Sequence, residues 1–250
     1  MINERVFLGL PVDFEEVCQV YPPTVNDVVG NKDFGIYQSL FTITQEELSD
    51  AYAKDERIQQ IPTPFQYLLL NYYQDEMVQQ KIHEAFMLFI HEPVTIVPEI
   101  EMLLIGKSED ELNPDIDLEN PRLLTEENYF DFQNIIRLVM GDNIIERPEN
   151  EEELLDPRIV RWKAKVRDYH RILAQKKSKT APTLGTLLAA ICCMGIGITP
   201  LNIGEMSYAC IQWLVGMYQQ NEEYDIDIRA LLAGADSKKV KPKYWIKNLD

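Results

Sequence analysis

The stretch TLGTLLAAICCMGIGITPLNIGEMSYACIQWLVGMY, Thr183 to Tyr218, decides how the rest of the chain is read. From Thr180 to Asn221 the only acidic or basic side chain is Glu205, in a chain that is 26% charged. Leu184, Leu187, Leu188, Ile191 and Cys192 recur at helical spacing. Met206, Cys210, Trp213, Leu214 and Met217 do the same beyond a Gly/Pro interruption. The pattern predicts a helix, a turn and a second helix at the centre of one core, with an amphipathic continuation to Gly234. The run is long enough to be weighed as a membrane span. However, Gly195, Gly197, Pro200, Asn202 and Gly204 break it, and each unbroken piece is shorter than the roughly 20 residues a span requires. A buried helical hairpin is the expectation, and no membrane is expected as a partner.

The totals agree with a globular chain. At 250 residues and 46% apolar content, the protein can build a core without staples. Cys18, Cys192, Cys193 and Cys210 do not form a disulfide framework and are expected as buried free thiols in a reducing cytosol. The opening MINERVFLGLPVDF carries acids and no long apolar run, so no secretory signal is expected. A net charge of −17 argues against nucleic acid as a general partner. The layout says more than the sum. Residues 1–157 hold 33 of the 41 acids and 9 of the 24 bases. Arg158 to Lys179 then holds 9 bases against Asp168 alone, and Lys238 to Lys247 holds 5 bases and no acid.

Outward from the apolar hairpin, local signals place the other elements. Residues 5–21 read as a short extended start with a strand or turn, closed by Pro22-Pro23, and Thr24 caps a short helix at 25–30. Asn31 to Tyr37 reads as a loop. Thr44-Gln-Glu-Glu47 fits a capping box, Thr63-Pro64 a cap with a first-turn proline, and Asp75 opens a helix ending near Glu92. Val78, Ile82, Ala85, Phe86 and Phe89 form the apolar stripe of that helix. At Pro93 the period shortens: Val94–Val97 and Glu101–Ile105, with Arg122-Leu-Leu as a third run, predict a small β element. Thr125 caps a further helix with Tyr129, Phe132, Ile135, Ile136 and Val139 on its core face, stopped at Gly141. Ile159, Trp162, Val166, Tyr169 and Leu173 give a basic helix, 158–178, one apolar stripe. Ile226, Ile228, Leu231 and Leu232 are expected to rejoin the core. The fold class is mainly α: a multi-helix globular body, residues 1–92 and 125–250, with a small β insertion at 93–124.

No catalytic signature emerges. His83 and His91 lie two helical turns apart, about 12 Å of rise, too far for one ion without further ligands. The acidic runs read as solvated loops, and Gly195-Ile-Gly197 lacks the strand and Lys-Ser/Thr of a phosphate loop. The expectation is a non-enzymatic protein with no metal or cofactor. The residues expected to bind a partner, or a neighbouring copy, are Arg161, Lys165 and Arg171 on the basic helix and Lys241, Tyr244 and Trp245 in the tail. There, basic charge meets acidic surfaces and aromatic anchors meet apolar ones.

Three fragments carry a resemblance: VYPPTVNDVVGNKDFGIYQSLFTITQEEL, GIGITPLNIGEMSYACIQWLVGMY and KPKYWIKNLD. Together they resemble proteins of bacteriophages and prophages of Gram-positive bacteria. In those proteins a small αβ piece interrupts a helical body, a Leu-Asn-Ile segment precedes the last helices and a Trp-containing end closes the chain. The resemblance implies a tail morphogenesis factor in the host bacterial cytoplasm, similar to the tail assembly chaperones that bind the tape measure protein. The alternative is a virion structural subunit of tail, connector or baseplate. A weaker alternative is a small phage enzyme or host-takeover factor.

Overall fold

The computed structural model describes residues 2–52, 61–97, 101–108, 122–147, 183–236 and 240–243. In chain order these form α1 (Ile2–Phe7), β1 (Val12–Phe14), β2 (Cys18–Val20), α2 (Val25–Gly30), α3 (Phe34–Thr42) and α4 (Gln45–Tyr52). There follow α5 (Pro64–Gln74), α6 (Glu76–Phe89), β3 (Val94–Val97), β4 (Met102–Ile105), β5 (Leu123–Leu124), α7 (Glu126–Val139), α8 (Leu184–Cys193) and α9 (Tyr208–Leu232). The fold is mainly helical with two small antiparallel sheets, β1-β2 and β3-β4-β5.

The helix starts follow from their caps. Thr24, Thr63 and Thr125 each take part in a reciprocal capping box, closed by Asp27, Gln66 and Asn128. The Thr44 hydroxyl accepts from the Glu47 amide at 3.1 Å while the Glu47 carboxylate accepts from the Thr44 amide at 2.9 Å. Asp75 caps α6 through the Met77 amide at 2.8 Å. These contacts satisfy amides that a helix leaves without partners.

The main core is aromatic and sits where α3, α6 and α7 meet. The Phe41 ring meets Phe86, Phe132 and Phe89 edge-on, at centroid distances of 4.8, 5.7 and 5.8 Å, and all four side chains are fully buried. One face of α7 also serves the end of α3, whose last carbonyls have no helical acceptor role. The Tyr129 hydroxyl donates to Leu40 O at 3.3 Å, and the Gln133 amide donates to Phe41 O and Ile43 O, both at 2.9 Å. Arg137 donates to Thr42 O. Residues 129, 133 and 137 step by four along α7, so one helix face ties down one helix end. Strands β3 to β5 pair as Val94↔Ile105 and Leu103↔Leu124. Their inward side chains, Val94, Ile96, Leu103, Ile105 and Leu124, join the same buried cluster.

Several sequence expectations need correction. The hairpin Thr183–Tyr218 is not the centre of the core: on α8 only Ile191 is buried, and on α9 only Ala209, Cys210 and Ile211. Its periodicity specified helices correctly, but the large rings of α3, α6 and α7 exclude more water and hold the centre. Residues 2–7 form a helix before the β1-β2 hairpin. The expected loop at 31–37 is already helical from Phe34, because Phe34 and Tyr37 are drawn into the core. Helix α6 ends at Phe89, where His91 takes a left-handed φ of 57°. Ile226 and Leu232 do not rejoin the core; they are 62% and 83% exposed. The basic helix 158–178 lies outside the described residues.

The C-terminal module is sutured to the body at the start of α9. The Val25 amide donates to Met206 O at 3.0 Å, and the Tyr208 amide donates to Pro23 O at 2.8 Å. Ser207, the cap of α9, accepts from the Cys210 amide and donates to Val6 O, each at 3.1 Å. Gly141, with φ of 79°, lets the end of α7 touch α9: a Cβ there would lie 3.0 Å from the Ala209 Cα. A second, smaller cluster of Val25, Ile191, Ile203 and Ile211 seals the joint.

Candidate functional site

Several charged side chains among the described residues of the body are committed to structure. A cleft of about 740 Å³ lies between α4, α5 and α7 and is rimmed by Glu46, Glu126, Glu127 and Glu146. Its inner polar groups, Gln133 and Arg137, already hold the α3 carbonyls, and burial lowers the pKa of Arg137. Arg147 stands over the Phe130 ring at 5.1 Å. A second hollow holds Cys18, His91, Glu92 and Arg122. There Glu92 and Arg122 form a two-point ion pair, one contact at 3.0 Å, and His91 stacks on Tyr21 at 4.0 Å. Burial, with Glu92 adding to it, pushes the Cys18 thiol up to about 12, which suppresses the nucleophilic thiolate at neutral pH. The Tyr72 hydroxyl and the His83 ring are 3.1 Å apart. Among the described residues no group of three His, Cys, Asp or Glu side chains is placed to hold a metal ion.

The surface that remains unexplained is the apolar tip of the C-terminal module. Helix α8 presents half-buried Leu184, Leu187 and Leu188 and exposed Ala189, Ala190 and Cys193. The following turn carries Ile196, 53% exposed, and Leu201, 95% exposed. This turn is built, not slack. Gly195 and Gly197 adopt left-handed φ values of 72° and 83°, as only glycine does at little cost. The Asn202 side chain accepts from the Thr199 amide at 2.7 Å and donates to Gly197 O at 3.1 Å. The result is a braced, uncharged apolar knob, with no formal charge between Leu184 and Asn202. Apolar area left uncovered in water is costly.

Of the residues expected to bind partners, Lys241 is exposed, in the segment 240–243 beyond α9. Arg161, Lys165, Arg171, Tyr244 and Trp245 lie outside the described residues. Ile196 and Leu201 were not singled out as partner-binding. Their signal in the sequence, apolar residues among glycines in a turn, is the same signal that suggested a buried hairpin.

Thiol burial gives a direct check. Cys193 is exposed, Cys192 half-buried, and Cys18 and Cys210 buried, with Cys210 pushed up to about 11 by desolvation. This departs from the expectation of four buried thiols. Titration of the folded protein with a disulfide reagent near pH 8 is expected to modify Cys193 first and Cys192 next. Cys18 and Cys210 should react only after denaturation. Fast modification of Cys18 in the folded state would contradict the packing of β2 described above.

The geometry thus defines a mainly helical protein with an exposed apolar module at its C-terminal end. Residues 175–250 match the YomV second domain family, and this likeness to a prophage domain supports a phage-type protein. No match was found among curated proteins or among solved structures. No helix of the described residues is long and apolar enough to cross a membrane.

Proposed function

We propose that the chain is a non-enzymatic phage tail morphogenesis protein, an assembly chaperone that holds the tape measure protein in the host cytoplasm. The observation that carries this reading is the braced apolar tip, Ile196 to Leu201 with the outer face of α8, inside the part of the chain similar to the YomV second domain. A long helical client exposes apolar stripes before a tube surrounds it. An uncharged knob on a body of net charge −17 covers such a stripe while the body keeps the complex soluble. The client is released when tube subunits compete for the same stripe, so no chemistry is required of the chaperone.

Co-expression with the tape measure protein of the same genome, affinity purification and sizing test this reading. A stable complex, together with absence of the chain from mature particles, is the expected result. No complex, and a fixed stoichiometric presence in purified virions, would replace it with the structural-subunit reading.

A further inference from the structure

The cleft between α4, α5 and α7, about 740 Å³, falls inside the roughly 300–1,000 Å³ range of ligand pockets. Thr44, Thr63 and Thr125, the residues at which these three helices begin, all line it. A further wall is Ile145 to Arg147, which the Asn134 side chain holds against α7. Its oxygen accepts from the Ile145 amide and its nitrogen donates to Ile145 O, both at 3.0 Å. Arg147 adds a bond to Glu127 O at 3.4 Å. The long polar side chains that line the cleft already have backbone partners. Gln45 donates to Pro62 O at 3.2 Å, Gln66 accepts from the Thr63 amide at 3.2 Å, and Gln133 and Arg137 hold the carbonyls that end α3. What the cleft offers a ligand is apolar: half-buried Ile43, Met102, Phe130 and Ile145, with buried Phe65 and Leu69.

The rim is acidic. Glu46, Glu101, Glu126, Glu127 and Glu146 line the cleft and are exposed, while its two bases are engaged, Arg137 on Thr42 O and Arg147 over the Phe130 ring. Glu126 and Glu127 have a local reason to be there, in the first turn of α7, where the helix dipole favours a carboxylate. Glu101 and Glu146 lie in no helix, so that reason does not cover them. An apolar interior, satisfied amides and a carboxylate rim together specify the occupant. A polar group carried inside would lose its water without gaining a bond, and a fatty-acid or nucleotide anion would meet repulsion at the rim. Aliphatic side chains flanked by cations meet neither cost. We propose that the cleft receives the apolar side chains of a lysine- or arginine-rich amphipathic helix of a partner protein. Leucine-sized anchors at i and i+3 or i+4 enter between α5 and α7, and the cations on either side of them reach the glutamates. None of the tip residues lines this cleft, so the proposal does not rest on the tape measure reading.

Binding of two labelled synthetic peptides to the full chain tests this. Each is an amphipathic helix of about 18 residues, roughly 27 Å long, one built of leucine and lysine and the other with every leucine replaced by glutamine at the same charge. The leucine peptide is expected to bind at least about tenfold more tightly than the glutamine peptide. Glu126→Gln, Glu127→Gln and Glu146→Gln together should weaken it roughly tenfold. Glu222→Gln, Glu223→Gln and Asp227→Asn remove the same charge from α9 and should weaken it less than about twofold. Both triple variants are compared with the wild type by circular dichroism, which should be unchanged. A photoreactive leucine in the peptide is expected to cross-link to Met102, Phe130 or Ile145. No binding of the leucine peptide, equal binding of the two peptides, or an equal loss in the two triple variants would overturn the proposal. Cross-links outside the cleft, at Ile196 or Leu201 for instance, would move the peptide to another surface and overturn it as well.

Discussion

Phe41→Ala is expected to lower the free energy of unfolding by about 3–5 kcal/mol, the cost of removing a fully buried ring from a site that cannot collapse. Phe41 is fully buried and its ring is the one that meets Phe86, Phe89 and Phe132 together, each edge-on. Those three rings are fixed by α6 and α7 and cannot all move inward to fill the space. For a chain of this size the change corresponds to a fall in melting temperature of roughly 6–20 °C. Typical domains have about 5–15 kcal/mol in total, so the variant sits near the limit of stable folding. Phe41→Leu, which keeps most of the volume, should cost about 1–2 kcal/mol. Ile226→Ala, on the exposed side of α9, should change stability by less than about 0.5 kcal/mol. Thermal and denaturant unfolding of the three variants give the order directly, and a Phe41→Ala variant as stable as Ile226→Ala would contradict the placement of the core.

Gly141→Ala is expected to cost about 2–4 kcal/mol, for two reasons that add. Its φ of 79° is left-handed, which an L side chain opposes by about 1–2 kcal/mol. The new methyl would also stand 3.0 Å from the Ala209 Cα and 3.1 Å from the Gln212 Cβ, where α7 and α9 touch. The first of these is backbone of a capped helix and cannot swing aside. The cost therefore falls on the joint between the body and the C-terminal module more than on the aromatic core. Hydrogen exchange should show it: the amides of Cys210 and Ile211 speed up in the variant, while those of α6 and α7 away from Gly141 change far less. Equal acceleration throughout the chain would mean that body and module unfold as one unit.

The legible parts of this fold were the local ones. Thr24, Thr44, Thr63, Asp75 and Thr125 were readable as caps because the donor, the acceptor and the helix they start lie within four residues of one another. The runs Val94–Val97 and Met102–Ile105 after Pro93 were readable as strands for the same reason, since their period needs only four residues to show. What periodicity does not report is what covers an apolar face. The stretch Thr183–Tyr218 is the least charged in the chain, and on that ground it was expected in the centre. The centre is instead held by Phe41, Phe86, Phe89 and Phe132, rings 91 positions apart at the extremes (132 − 41), whose convergence no local pattern contains. The same ambiguity hid the candidate surface. Leu201 in a Gly/Pro turn reads equally as a buried plug or an exposed knob, and the structure decides for the knob: Ile203 is drawn into the small cluster with Ile211 while Leu201 stays 95% exposed.

The measurement that bears most directly on the proposed role of the tip is client capture by a surface variant. Ile196→Glu with Leu201→Glu places two charges on the knob at positions that are already exposed, so the folded state should keep its circular dichroism and melting temperature. Co-expressed with the tape measure protein of the same genome, the wild type is predicted to purify as a complex, and the variant to purify folded but without the client. A variant that retains the client as fully as the wild type would contradict the account and move the binding surface elsewhere on the molecule.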